Sequence, residues 1–184
     1  ALVVGLAIGL LNGLLVTRAG INSLIATLGS MAILRGGAMV GTQAVSIQGR
    51  VEGFTEVGTG YWGPLPIPVV LAVVLLVLFY LVLHHTPAGR YLYAVGGNAQ
   101  AARLAGLPVE RLKLAAFALS GVLAALSAFI LAARLNSGQP NAGLGFELQV
   151  IAAVVLGGVS LSGGLGTLVG AVLGILILTV LNNG

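Results

Sequence analysis

Long apolar stretches, separated by shorter polar segments rich in Gly and Pro, give this chain its pattern. Four of them run for 15 to 20 residues. A helix needs about 20 residues to cross a hydrocarbon layer of ~30 Å. Two further stretches near the C-terminus are shorter and broken by glycines. The pattern predicts an all-α, polytopic membrane protein built as a helical bundle. The six stretches cover residues 2–16, 23–40, 66–83, 114–133, 151–156 and 168–181.

The long stretches differ in their content of small residues, and this predicts where each helix lies in the bundle. Residues 66–83 contain no Gly, Ser, Thr or amide side chain, so this helix should face lipid at the periphery. Residues 114–133 carry small residues on which other helices can pack closely. These residues are Ser120, Gly121, Ala124, Ala125, Ser127 and Ala128.

Two polar residues interrupt the first two stretches. Asn12 should face another helix and hydrogen-bond there, or contact a substrate. Arg35 inside a span costs about 2.5–3.5 kcal/mol unless it snorkels or faces a polar interior. We interpret Arg35 as a snorkelling residue near the far interface, with a position on the pathway as the alternative. The Gly36–Gly37 pair that follows could bend or end the helix.

The C-terminal stretches are separated by the Gly-rich segment SLSGGLGT. Gly166, Gly170 and Gly174 follow at intervals of four, which predicts a ridge of small residues for close contact between helix backbones. Stretches this short and Gly-broken occur where helices are discontinuous at membrane depth and line a cavity. Tight packing without a cavity would produce the same pattern.

The segment RLNSGQPNAGLGFE, residues 134–147, is polar and carries no net charge. Amide and charged side chains can hydrogen-bond the hydroxyls of a neutral polyol, so substrate contacts are predicted here. A solvated surface loop is the alternative. Together with Asn12, the candidates for contact with a substrate, on a translocation path if the protein is a transporter, are Asn136, Gln139, Asn141 and Glu147.

Composition agrees with a membrane location. Apolar residues make up 58% of the chain and charged residues 7%, against about 25% charged residues in a soluble domain. The charges lie at helix ends and in loops without forming a basic patch, so no nucleic-acid partner is indicated. The absence of Cys excludes disulfides and thiolate metal sites. Because the chain begins at Ala1 and stops at Gly184 beside apolar stretches, we expect a fragment, incomplete at both ends.

Residues 84–113 form the longest polar interruption. They hold four of the eight Lys and Arg residues, whereas segments 43–65 and 134–147, which we expect to be loops, hold one each. By the positive-inside rule, residues 84–113 are predicted to be cytoplasmic and the other two segments to face outward.

Capping signals inside this cytoplasmic segment predict a short helix. Asn98 can cap it through its side-chain oxygen, residues 99–105 favour helix, and Gly106 suits a left-handed stop. One face would present small side chains around a single Arg, on which another protein could dock. An ordinary connector is the alternative. The predicted face comprises Ala99, Ala102, Arg103 and Gly106.

Two long motifs resemble a known family. GRYLYAVGGNAQAARLAGLPVERLK is similar to the cytoplasmic coupling loop of bacterial ABC-importer permeases of the ribose/monosaccharide type. QPNAGLGFELQVIAAVVLGGVSLSGGLGTLVGAVLGILILTVLNNG resembles the C-terminal half of the same branched-chain amino acid/sugar permease family. The resemblance implies a bundle of the type II ABC importer permease type. It also implies a single transmembrane permease domain over residues 1–184, with residues 84–113 as its cytoplasmic coupling loop.

The resemblance further implies a function. A permease of this kind translocates a ribose-like or related monosaccharide across the bacterial inner membrane, as a homodimer or heterodimer. Separate cytoplasmic ATPase subunits bind ATP and Mg and push on the short helix, and a periplasmic sugar-binding protein delivers the substrate. Gln149 stands where the family pattern leads us to expect an acidic residue, which leaves the identity of the sugar open.

Other functions fit the sequence less well. No G-x-x-x-x-G-K-[ST] run is present, so no cofactor is predicted in this chain and ATP belongs to a partner. No acid–base pair or metal set stands out, so a membrane-embedded enzyme is disfavoured. A branched-chain amino acid permease would need charged groups that the neutral segment 134–147 lacks. A secondary transporter or channel without an ATPase would need carboxylates within the spans, and the apolar stretches contain none.

Overall fold

The computed structural model describes residues 1–49 and 53–184, and these residues are mostly helical. The strands among them are only two residues long, so the all-α prediction is confirmed. In chain order the described elements are α1 (Leu2–Thr17), α2 (Ser23–Thr42), β1 (Ile47–Gln48), α3 (Phe54–Thr59), β2 (Tyr61–Trp62), β3 (Leu65–Pro66), α4 (Ile67–His85), α5 (Pro87–Gly97), α6 (Ala99–Leu104), α7 (Val109–Leu135), β4 (Ser137–Gly138), α8 (Phe146–Leu156) and α9 (Leu168–Asn183).

Three of the described helices, α2, α4 and α7, are long and apolar enough to cross a membrane. They coincide with the predicted stretches 23–40, 66–83 and 114–133, which confirms the prediction of a polytopic membrane protein. Three shorter apolar helices, α1, α8 and α9, accompany them. Within the part of the chain that the structure describes, no residue of α4 is buried, in agreement with a helix that faces lipid.

Two helices extend beyond the boundaries that hydropathy suggests. α7 begins at Val109, so residues 109–113, predicted as part of the loop, form its first turns. Hydropathy marks the part of a helix that suits hydrocarbon, whereas backbone hydrogen bonding continues through polar residues. α2 does not end at Gly36–Gly37 but runs on to Thr42. A glycine lowers helix stability by about 1 kcal/mol, yet it still donates its N–H.

The described chain divides into two compact units. The first comprises Ala1–Ala72 and Glu110–Ala142, and the second comprises Val73–Val109 and Gly143–Gly184. The first unit therefore holds α1, α2, α3 and nearly all of α7. The second holds α5, α6, α8, α9 and most of α4.

In the first unit, α1 packs antiparallel on α7 through glycines. Gly5 lies against Gly121, whereas Gly13, two turns further along α1, lies against Leu114. A Cβ atom at Gly5, Gly9 or Gly13 would come closer than 3.0 Å to an atom of α7. Small residues are favoured at such contacts because helices in lipid associate mainly through close van der Waals packing.

The C-terminal end of α7 is in contact with the segment 43–65. Within that segment, α3 brings Gly58 against the backbone of α7, and the Phe54 ring meets Phe129 edge-on, with centroids 5.3 Å apart. β1 pairs antiparallel with β4 just beyond α7. Hydropathy does not reveal α3, because a six-residue helix depends on tertiary contacts for its stability. Arg50, the single basic residue of this segment, lies outside the described residues.

In the second unit, α8 packs on α9 through glycines. Gly157 lies against Gly170, and the carbonyl of Ala153 lies against Gly174. The Thr167 hydroxyl accepts a hydrogen bond from the Gly170 N–H at 3.0 Å and so caps α9. The intervening turn, residues 157–167, includes glycines in the left-handed region, where other residues would be strained. These are Gly158, Gly163, Gly164 and Gly166.

Candidate functional sites

The predicted cytoplasmic loop contains two helices rather than one. α5 covers Pro87–Gly97, and the Thr86 hydroxyl accepts a hydrogen bond from the Gly89 N–H at 3.4 Å at its start. Sequence reasoning missed this helix because its Pro and paired glycines resemble breaks. The Thr-Pro pair is nevertheless an N-cap followed by Pro at the first helical position, and that signal could have revealed α5.

The predicted ends of α6 are confirmed. The Asn98 side-chain oxygen accepts hydrogen bonds from the N–H groups of Gln100 and Ala101, at 3.0 and 2.9 Å. At the other end Gly106 has φ +79°, and the N–H of Leu107 donates to the carbonyl of Ala102 at 3.0 Å. Local capping chemistry therefore sets both ends of this helix.

The face of α6 that could meet a partner differs from the predicted one. Ala102 is only 5% exposed and Ala99 is half-buried, so these two side chains are turned towards the protein, where α6 packs on α5. Arg103 and Gly106 are exposed. Leu104, which the pattern did not single out, is 92% exposed. A single apolar side chain on a six-residue helix carries no periodic signal, so its exposure emerges only from packing.

Asn12 is buried on the α7 side of α1, but it does not form the predicted hydrogen bond through its oxygen. The residue is 8% exposed, and among the described residues its Oδ1 has no hydrogen-bond partner. Gly9 and Gly13 beside it contact Phe117, so Asn12 lies near that level of α7.

The amide residues after α7 form a separate group in the same unit. Asn136 has φ +48°, and its carbonyl accepts from the Gly49 N–H at 3.0 Å. Gln139 is exposed and donates through Nε2 to the Ser137 hydroxyl at 3.3 Å, and Asn141 is exposed in the following turn. From the level of Phe117 to the end of α7 is about 27 Å at 1.5 Å per residue. Asn12 and this amide group therefore cannot touch one monosaccharide together.

The remaining candidates lie in the second unit. Glu147 occupies the first turn of α8, where a carboxylate is favoured by the helix dipole. Gly170 and Gly174 lie on α9 and face α8. Gly166, grouped with them by spacing, precedes the cap Thr167, has φ +144° and lies against Val159 instead. The grouping is wrong for Gly166 because α9 begins after it.

Metal ligation would require several donor side chains close together. Across residues 1–49 and 53–184, no group of three or more His, Asp or Glu side chains could hold a metal ion.

The fold and the packing together define a class: a polytopic α-helical membrane protein whose helices meet through glycines and whose longest polar segment carries a short capped helix. The chain belongs to the family described as "Branched-chain amino acid transport system / permease component", which matches residues 1–184. The resemblance to permeases is thus confirmed at the level of the family. This is a family of transport proteins and not of enzymes.

Individual relatives are similar over almost the whole chain. The ribose import permease protein RbsC of Bacillus subtilis is 46% identical over 175 residues, covering 94% of this chain and 54% of the relative. RbsC of Escherichia coli K12 is 46% identical over 192 residues, covering 100% of this chain and 59% of the relative. The L-arabinose transport system permease protein AraH of E. coli K12 is 46% identical over 172 residues, covering 94% of this chain and 52% of the relative. The chain spans about half the length of these curated relatives. No solved structure matches it.

Proposed function

We propose that the chain forms part of a transmembrane permease subunit of an ATP-binding cassette importer, which carries a monosaccharide across the bacterial inner membrane. The observation that carries this proposal is the 46% identity, over at least 94% of the chain, to permeases named for ribose and L-arabinose. The exposed amides after α7 support it, because amides both donate to and accept from sugar hydroxyls.

Residues 84–113 would serve as the coupling loop of a single permease domain, residues 1–184, and α6 would be the part that a cytoplasmic ATPase contacts. Asn98 and Gly106 set the two ends of the helix, and the side chains of Ala99 and Ala102 pack against the rest of the loop. The exposed side chains of Arg103 and Leu104 would face the ATPase, which would hold the ATP and Mg. An exposed leucine suits this role, since burying one against a partner contributes about 1.5–3 kcal/mol.

The proposal assigns the remaining partners by analogy with these relatives. A second permease subunit, identical or not, would complete the path, and a periplasmic sugar-binding protein would dock on the outward side. In this scheme Asn136, Gln139 and Asn141 form one group of substrate contacts. Asn12, near the opposite end of α7, and Glu147 on α8 would act at other stages of passage.

The family description favours one second candidate, a branched-chain amino acid as the cargo. A zwitterion requires groups that match both an ammonium and a carboxylate. In segment 134–147 the only charged residues are Arg134, in the last turn of α7, and Glu147, in the first turn of α8. A sugar remains the proposed cargo because the matched relatives are named for ribose and L-arabinose.

Reconstitution tests the proposal. The permease, expressed from its complete gene, is placed in proteoliposomes with its ATPase and binding protein, and uptake of labelled ribose, L-arabinose and leucine is measured. We expect ATP-dependent uptake of a sugar and none of leucine. Uptake of leucine alone would establish the amino acid alternative. Uptake driven by an ion gradient, with no ATPase bound, would overturn the importer proposal itself.

A further inference from the structure

The C-terminal end of α5 lies directly against the turn 157–167, and both elements belong to the second unit. A Cβ atom at Gly96 would lie 2.5 Å from the backbone nitrogen of Gly164. A Cβ atom at Gly163 would lie 3.0 Å from the carbonyl oxygen of Gly96. The two backbones therefore touch with no side chain between them, and a displacement of one cannot be absorbed by a side-chain rotation.

One helical turn before Gly96, a hydrogen bond also joins α5 to the segment 157–167. The Tyr93 hydroxyl donates to the carbonyl of Gly166 at 3.1 Å, between residues 73 positions apart in the sequence. Tyr93 and Gly96 are three residues apart on α5, so they lie on one face of that helix. α5 thus contacts the turn 157–167 at two points: through the close packing of Gly96 on Gly164, and through the hydrogen bond from Tyr93 to Gly166.

The turn itself is stiffened by internal hydrogen bonds. The Ser160 N–H donates to the carbonyl of Leu165 at 2.9 Å, and the Gly163 N–H donates to the carbonyl of Ser160 at 3.2 Å. At its far end the turn continues into the Thr167 cap of α9, and at its near end Gly157 packs on Gly170. A movement imposed on the turn is consequently passed to α8 and α9.

The same C-terminal end of α5 is also tied to α6. Asn98 alone separates the two helices and caps α6 through its side chain, and the two helices pack against each other. The path from α6 to α7, by contrast, runs through the non-helical residues 105–108. A push on α6 therefore moves α5 as a body.

We infer that the contact between Gly96 and Gly164, together with the hydrogen bond from Tyr93 to Gly166, is the link through which displacement of α6 reaches α8 and α9. The inference rests on the proposed function, since it assumes that an ATPase moves α6. Tyr93, Gly96 and Gly164 are then positioning residues for transport. They touch neither the substrate nor the nucleotide, and they set how much transport each hydrolysis event produces.

The chain offers matched controls for each of these residues. Gly97 is adjacent to Gly96, but a Cβ atom there would meet nothing within 4 Å. Gly158 shares the left-handed backbone of Gly164, with φ +79° against +74°, and also has open space around it. Tyr91 is 40% exposed and, two residues before Tyr93 on the same helix, lies on a different face of it, so it provides a control tyrosine.

The experiment measures sugar transported per ATP hydrolysed, basal ATPase activity and yield of the complete importer in proteoliposomes. We expect Gly96→Ala and Gly164→Ala to lower the transport ratio at least threefold with basal ATPase and yield preserved, whereas Gly97→Ala and Gly158→Ala leave the ratio unchanged. Tyr93→Phe should lower it about 2- to 10-fold, as for one lost hydrogen bond, and Tyr91→Phe should not.

Three outcomes distinguish a failure of the proposed link from a failure of the proposed function. Equal ratios in Gly96→Ala and Gly97→Ala, and in Tyr93→Phe and Tyr91→Phe, would overturn the link and leave the importer proposal standing. If the glycine variants fail to assemble, the tyrosine pair decides alone, because losing one hydroxyl leaves the packing intact. A wild-type permease that binds no ATPase would overturn the proposed function instead.

Discussion

Gly5 on α1 and Gly121 on α7 meet backbone to backbone, and a Cβ atom on either residue would collide with the carbonyl oxygen of the other. The relationship is reciprocal, so it constrains both helices at one point. Lipid supplies no hydrophobic driving force between apolar helices, and close contact of this kind takes its place. Stability of the first unit should therefore depend on these two residues.

Gly121→Leu is expected to lower the thermal stability of the detergent-solubilised protein. Overpacking of a tight contact costs about 1–3 kcal/mol, and here the obstacle is backbone that cannot rotate away. The measurement is the Tm, followed by the fluorescence of Trp62. Gly29→Leu is the control, because Gly29 lies on α2 and a Cβ atom there would meet nothing within 4 Å. Equal Tm values for the two variants would contradict the packing assigned to Gly121.

Leu104→Ser should weaken binding of the ATPase. Burial of a leucine contributes about 1.5–3 kcal/mol, so the affinity should fall roughly 10- to 100-fold. Binding of the purified ATPase to permease in nanodiscs provides the measurement. Leu144→Ser removes a comparably apolar and 60% exposed side chain outside the coupling loop and should bind normally. Unchanged affinity of the Leu104 variant would show that the ATPase contacts another surface.

Asn12→Leu should raise the Tm and lower sugar uptake. A buried acceptor without a donor costs about 1–3 kcal/mol, and Leu fills a similar volume without that cost. Asn12→Ser, which keeps a polar group in a smaller volume, should give no such gain in Tm. A lower Tm for Asn12→Leu would mean that the amide has a partner in the assembled protein. A higher Tm with unimpaired uptake would remove Asn12 from the translocation path.

Cysteine labelling tests the orientation of the loops. The 184 residues contain no Cys, so labelling of a variant is compared with that of the parent permease and the difference reports the introduced thiol. Ala105→Cys, just after α6, should react with a membrane-impermeant maleimide only from the cytoplasmic side. Asn141→Cys should react only from the opposite side. Labelling of both variants from the same side would refute the orientation derived from the positive-inside rule.

Features governed by local chemistry could be predicted from the sequence. The spans at 23–40, 66–83 and 114–133 follow from hydropathy, and the ends of α6 follow from Asn98 and Gly106, which act on their own neighbours. Glycine spacing correctly suggested close backbone contact for Gly170 and Gly174. In each of these cases the determining residues lie within a few positions of the structure that they determine.

Features that depend on distant partners could not be predicted. Ala102 is buried and Leu104 is exposed because α6 packs on α5, a helix that the Pro and Gly content of its segment conceals. Gly166 has the same spacing as Gly170 and Gly174, but Thr167 caps α9 one residue later and excludes it. The contact of Gly96 with Gly164 joins segments almost seventy residues apart, and neither glycine signals the other.

The length of α8 has a consequence for the bilayer around it. Eleven residues of helix reach about 16 Å, roughly half of a hydrocarbon layer of ~30 Å. The backbone on either side is non-helical, with left-handed glycines at Gly143, Gly145 and Gly158. Where α8 lies within the hydrocarbon layer, the peptide groups beyond at least one of its ends also lie at hydrocarbon depth, and an N–H or C=O group left there without a partner costs several kcal/mol. The non-helical ends of α8 therefore have to be enclosed by protein or reached by water from within it, and they cannot face lipid.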